Sequence, residues 1–178
     1  MIISLKNSKI KDIIPLLDNS IFIYPTDTIY GIGCNASNPE LVEKIRELKQ
    51  RDNKPLSIIA PSKQWILDNC ITTKQELDKY LPGPYTLILK KKIPEFLFPA
   101  SSTLYLGVRI PKHDFTELLQ RTNQPIITTS VNLSGQPFAT RISEIPEQII
   151  QGVDFIINAG TLSGNPSTIV KDGVEMKR

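Results

Sequence analysis

Residues 21–60 read IFIYPTDTIYGIGCNASNPELVEKIRELKQRDNKPLSIIA. The stretch opens on Ile21-Phe22-Ile23-Tyr24, a short apolar run that reads as a largely buried strand. Asn38-Pro39 then starts a helix, a capping residue followed by a proline at the first helical position, where its missing N–H costs nothing. Leu41, Val42, Ile45 and Leu48 recur at helical spacing and make one apolar stripe. Lys44, Arg46, Lys49 and Arg51 crowd the far end, where cations complement the helix dipole. The run 56–60 is apolar again and reads as a second strand. Strand, helix and strand in one stretch set the class as α/β.

The same alternation continues on both sides. Helical patterns cover 9–17, 62–69, 74–80, 115–121 and 144–150; strand patterns cover 85–89, 105–110, 126–129, 155–158 and 167–170. There is no internal repeat and no low-complexity stretch. The expectation is a single three-layer domain over 1–178, with a twisted mixed sheet of about seven strands flanked by helices. The order of the strands is not legible in this pattern.

A chain of 178 residues with 40% hydrophobic and 22% charged residues can bury a core without a disulfide or metal staple. Cys34 and Cys70 stand far apart with no second ligand at metal spacing, which fits packed thiols in a reducing compartment. The single histidine, His113, has no acid–base partner nearby and reads as structural. The N-terminus interleaves lysines with apolar residues and has no cleavage site, and no apolar run is long enough to span a bilayer. A cytoplasmic location is expected. The net charge of +3 welcomes a polyanion but falls short of a nucleic-acid-binding bias.

Four segments carry candidate chemistry. Residues 24–33, YPTDTIYGIG, crowd hydroxyls, a carboxylate and two glycines behind the first strand. They suit either a polar ligand or a tight turn whose hydroxyls serve the local backbone. Lys49, Arg51 and Lys54 bring three cations to an exposed helix end, where they can neutralise phosphates or simply be solvated. Residues 128–135, TTSVNLSG, follow a strand with hydroxyls, an amide and a glycine at its carboxyl end, where open α/β sheets bind ligands. Residues 164–170, GNPSTIV, form a turn feeding a late strand. Arg109, inside an apolar strand, needs either a structural or a ligand carboxylate. No Walker lysine motif and no dinucleotide glycine fingerprint follows any strand.

In order, these segments resemble the YrdC/TsaC family of threonylcarbamoyl-AMP synthases. Residues 24–33 are similar to its opening signature, and Lys49-Gln50-Arg51 with Ser130-Val131-Asn132 resemble its Lys-x-Arg and Ser-x-Asn pairs. The runs 82–87 (PGPYTL), 107–111 (GVRIP) and 166–170 (PSTIV) also look like family blocks. Together the blocks span residues 24–170.

The resemblance implies a fold with a concave basic cavity and no additional C-terminal domain in this chain. It implies a nucleotidyltransferase that joins L-threonine, bicarbonate and ATP, with Mg²⁺, and releases pyrophosphate. A downstream complex would move the threonylcarbamoyl group to the adenosine beside the tRNA anticodon, with tRNA contact possible and no membrane involved. Lys49, Arg51, Ser130 and Asn132 would be catalytic. These four, with Lys54, Ser134 and Arg178, would bind ATP. Thr26, Thr28, Tyr30, Arg109, Thr128 and Ser167 would bind threonine, and no side-chain metal site is implied. Two positions depart from the pattern: Val131 stands where the family has Ala, and Phe138 where it often has a small polar residue. The residues themselves also leave open a paralogue with another carbamoyl-type substrate, or a non-catalytic RNA-binding module.

Overall fold

The structure is a computed structural model, describing residues 1–4, 8–51, 54–162 and 164–177. Eleven strands form one mixed sheet among these residues. They are β1 (Ile2–Ser4), β2 (Phe22–Tyr24), β3 (Gly31–Gly33), β4 (Ser57–Ile59), β5 (Cys70–Ile71), β6 (Tyr85–Lys91), β7 (Tyr105–Arg109), β8 (Ile126–Ser130), β9 (Phe155–Asn158), β10 (Thr168–Lys171) and β11 (Val174–Met176). Their order across the sheet is β1-β9-β2-β3-β8-β4-β7-β6-β10-β11, with β5 on the side of β6. The helices are α1 (Pro39–Leu48), α2 (Lys63–Asn69), α3 (Lys74–Tyr80), α4 (Asp114–Gln120) and α5 (Glu147–Gln151).

The α/β class holds, and the expected strand number is corrected upward. β1, β5 and β11 are only two or three residues long, too short to show a period of two. β3 is Gly-Ile-Gly, which reads as a turn until a neighbouring strand makes it a ladder. Two helices also differ. Residues Ser8–Asn19 form a 3₁₀ segment with Pro15 inside it, which cannot donate the α-helical hydrogen bond. The pattern over 144–150 resolves into a 3₁₀ turn at Ile142–Glu144 and α5, separated by Pro146. Other helix starts are conventional: Asn38 accepts from the amides of Glu40 and Leu41, Ser62 from Trp65, and Thr73 from Glu76. His113 caps α4 through Nδ1, which accepts the Phe115 N–H, so its role here is structural.

The strands sort their side chains between two faces. On one face Ile23, Ile32, Ile127, Ile58 and Val108 join the apolar stripe of α1 in the main core. On the other, Phe22, Tyr24, Ile126 and Ile59 pack with Phe115 and Leu119 of α4. Phe22 stacks on Phe155 with ring centroids 5.2 Å apart, and Tyr24 lies 5.7 Å from Phe115. β3 has no side chain on this face, because the Tyr24 ring occupies the space above Gly31 and Gly33. The Tyr24 hydroxyl reaches across to donate to the Ile127 carbonyl at 3.2 Å. Burial pushes this phenol well above its ordinary pKa, so it remains a donor.

A Cβ at Gly33 would strike the Ile127 carbonyl oxygen as well as the Tyr24 ring. Gly33→Ala therefore costs about 1–3 kcal/mol through overpacking. Urea denaturation should show this as a lower midpoint at an unchanged slope.

Candidate active site

The second sheet face changes chemistry along its length. In β8, Ile126 belongs to the aromatic cluster, while Thr128 and Ser130 follow on the same face. In β4, Ile59 is apolar and Ser57 lies opposite Thr128. Arg109 pairs with Ile59, and Gly31 with Ser130, in register on this face. Where the apolar side chains stop, the hydroxyls begin, and a cavity opens between them.

Of the residues expected to bind threonine, Thr26, Tyr30, Arg109, Thr128 and Ser167 line this cavity, together with Ser130 from the nucleotide set. Ser57 and Thr86 join them and were not singled out. Each is a hydroxyl on the cavity-facing side of a largely apolar strand, and Thr86 also lies within the 82–87 block. Thr86 and Ser167 share a hydrogen bond of 2.8 Å between buried hydroxyls. Gly107 leaves room for Ser57, whose Oγ lies 2.4 Å from where a Cβ would be.

Thr28 instead lines the adjoining cleft, with Asp27, Pro166 and Lys177. It is tied to the cavity by a 2.8 Å contact between its hydroxyl and that of Thr26. The Thr26 hydroxyl donates to the Ile29 carbonyl at 2.8 Å and accepts the Thr28 amide. Thr28 is therefore the donor between the two hydroxyls. The segment both satisfies its own backbone and faces a cavity. Tyr30 is fully buried, and its hydroxyl donates to the Gly160 carbonyl at 2.8 Å and accepts the Ala159 N–H at 3.0 Å. That hydroxyl secures the chain after β9.

Arg109 finds a structural carboxylate: Nη2 lies 2.7 Å from Asp27 Oδ1, with both side chains nearly buried. Asp27 also accepts the Lys112 N–H at 2.9 Å. Burial pushes the guanidinium pKa down and Asp27 opposes it. Arg109 Nε is buried with no hydrogen-bond partner among the described residues.

The nucleotide set gathers where α1 meets the end of β8. The sequence places Lys49 at an exposed helix end. The structure corrects this: Lys49 is 2% exposed. Its Nζ donates to the carbonyls of Ser130 and Asn132, the latter at 2.7 Å, and to Asn132 Oδ1 at 3.3 Å. Ser130 Oγ donates to the same Oδ1, and Asn132 Nδ2 donates to the Gln136 carbonyl at 2.6 Å. Burial, aided by the nearby Arg51 charge, pushes the Lys49 pKa down to about 7. Arg51 is partly buried and donates to the Pro55 carbonyl at 3.1 Å. Lys54 and Ser134 are exposed, the Ser134 amide donating to the Lys49 carbonyl at 3.0 Å. Arg178 lies outside the described residues. Val131 is fully buried, while Phe138 is exposed at the surface.

Residues 15–177 match the profile of the Sua5_yciO_yrdC family, described as "Telomere recombination". The chain belongs to this family. A relative from Methanocaldococcus jannaschii, provisionally named threonylcarbamoyl-AMP synthase, is 39% identical over 88% of this chain and 76% of its own. A "Threonylcarbamoyl-AMP synthase" of Vibrio campbellii is 30% identical over 88% of this chain and 89% of its own. The crystal structure of P. abyssi Sua5 complexed with L-threonine superposes with a TM-score of 0.84 at 27% identity. That match covers 96% of this chain and 54% of P. abyssi Sua5, so the family member described here spans about half of that longer protein. The α/β class and the sheet with its flanking helices are those of the family. No helix among the described residues is long and apolar enough to cross a membrane.

Because the Lys49 amino group holds two backbone carbonyls in the interior, Lys49→Ala strands the Asn132 carbonyl, while the Ser130 carbonyl keeps only the Asn132 N–H. The loss should be about 1–3 kcal/mol from unmet hydrogen bonding, with lost packing in addition. Thermal or urea unfolding of the unliganded variant checks it.

Proposed function

We propose that this chain condenses L-threonine, bicarbonate and ATP into L-threonylcarbamoyladenylate with release of pyrophosphate. The product would supply a downstream transferase acting on the adenosine next to the anticodon in tRNA. One observation carries the reading: Ser130 belongs to two arrangements at once. Its side lines the hydroxyl-rich cavity with Arg109, and its carbonyl and hydroxyl belong to the Lys49–Asn132 cluster. A small amino acid and a triphosphate held in these two places would meet at Ser130.

The chemistry asks for positioning and charge neutralisation. The threonine amine takes up bicarbonate as a carbamate with loss of water, and a carbamate oxygen attacks the α-phosphorus while pyrophosphate leaves. Carboxylate, carbamate and triphosphate must be brought together against their mutual repulsion. The buried Arg109 Nε suits a carboxylate entering the cavity, where Thr128 and the Thr86–Ser167 pair offer neutral donors. Arg51, Lys54 and Lys49 supply positive charge to the phosphates, with Ser130, Asn132 and Ser134 placing the nucleotide. No cluster of His, Cys, Asp or Glu suited to holding a metal ion occurs among the described residues. Mg²⁺ would arrive bound to the triphosphate as part of the substrate.

Pyrophosphate release should require ATP, threonine and bicarbonate together. Release that continues without threonine or bicarbonate, or none with all three, would contradict the proposal. The Lys49 pKa also makes a prediction. Near pH 7 the amine is only about half protonated, and a bound triphosphate favours the charged form. ATP binding should thus take up a fraction of a proton at pH 7, more toward pH 8, and almost none at pH 5.5, where Lys49 is already charged. Calorimetry in buffers of different ionisation enthalpy measures this uptake, and Lys49→Met should abolish it.

A further inference from the structure

Arg46 shares α1 with the candidate site and is not among the residues that line the hydroxyl-rich cavity. On the sequence it is one more cation complementing the helix dipole. In the structure it is 7% exposed. Its Nη1 donates to the Lys54 carbonyl at 2.8 Å. Its Nη2 donates to the Pro99 carbonyl at 3.0 Å and lies 3.4 Å from that of Ala100. The carboxylate of Glu43 is 3.9 Å away and exposed, a weak attraction by comparison. Burying a guanidinium is costly unless its donors are met, and here backbone oxygens of two separate segments meet them.

Those segments are joined elsewhere as well. The Leu56 amide donates to the Ala100 carbonyl at 2.9 Å, and the Arg51 amide to the carbonyl of Arg46 itself at 2.9 Å. The Arg46 side chain therefore holds the backbone at Lys54, next to the Pro55 carbonyl that accepts from Arg51 Nη2, while the Arg51 amide is held by the Arg46 backbone alone. A planar fork can hold carbonyls on two sides at once, whereas a lysine ammonium on a flexible stem presents one point charge.

We propose that Arg46 is a positioning residue for nucleotide binding, fixing the 54–55 segment, which carries Lys54 and the carbonyl that holds Arg51, against the 97–101 loop so that the two charges meet the triphosphate. This rests on the functional reading above. The carbonyls that Arg46 holds, those of Lys54, Pro99 and Ala100, are not part of the hydroxyl-rich cavity, so threonine binding should be unaffected.

The test compares ATP and threonine binding by calorimetry in the wild-type protein, Arg46→Met and Arg46→Lys, with circular dichroism and thermal melts as the check on folding. Arg46→Met should weaken ATP binding about tenfold with threonine binding unchanged. Arg46→Lys keeps the charge but not the fork, and should fall between the two. If Arg46→Met fails to fold, the Arg46→Lys comparison decides: ATP binding equal to wild type in that folded variant overturns the assignment. Equal losses for ATP and threonine in a folded variant also overturn it, because they mark a general structural role. Wild-type protein that binds no ATP would sink the functional reading, and this assignment with it. Wild-type protein that binds ATP, beside a folded Arg46→Met that binds it as tightly, overturns the assignment alone.

Discussion

The Lys49 ammonium, buried against the carbonyls of Ser130 and Asn132, joins the end of α1 to the exit of β8. The geometry of the candidate site follows from that junction. An ammonium withdrawn from water must find oxygens, and here it finds them on the backbone turn whose Ser130 side chain faces the cavity. The turn is thereby held in one conformation, with Ser130 and Asn132 hydrogen-bonded to each other. An amino group that would otherwise be solvated at a helix end organises the site through its hydrogen bonds before any substrate arrives.

The same economy appears in other cations. Arg46 holds the carbonyls of Lys54 and Pro99, and Lys91, 2% exposed, donates to the carbonyls of Ser101 and Phe96. Arg109 answers Asp27, whose second oxygen takes the Lys112 amide. Each cation ties an irregular segment to a regular element. A sheet with several short strands has few ladder bonds with which to fix its loops, and buried side-chain donors make up the difference. Because such contacts are directional, they set position as well as energy.

Much of this architecture was legible in the amino-acid order. The apolar stripe of α1, the cap at Asn38 and the longer strands follow from local pattern, since each needs only neighbours within a turn or two. The ordered blocks from Tyr24 to Val170 pointed to the family. They also marked Thr26, Arg109, Thr128, Ser130 and Ser167, which the fold gathers into one place. Less legible were Ser57 and Thr86, single hydroxyls in strands that read simply as apolar. β3 was hidden because two glycines make a strand only when a neighbouring ring, that of Tyr24, occupies the space above them. Lys49 and Arg46 misled in the other direction, since a basic helix end reads as solvated unless something packs over it.

The sequence by itself determined the class, the local elements, the family and the types of side chain available to the site. Those properties depend on residue spacing along the chain, which is printed in the order of the letters. Only the tertiary structure decided the strand order, the two faces on which apolar and hydroxyl residues separate, and which cations are buried. Burial and partnership are set by segments far apart in the chain, such as β8 against α1 and the 97–101 loop against Arg46. A charge carries no sign of its solvent exposure until those segments close around it.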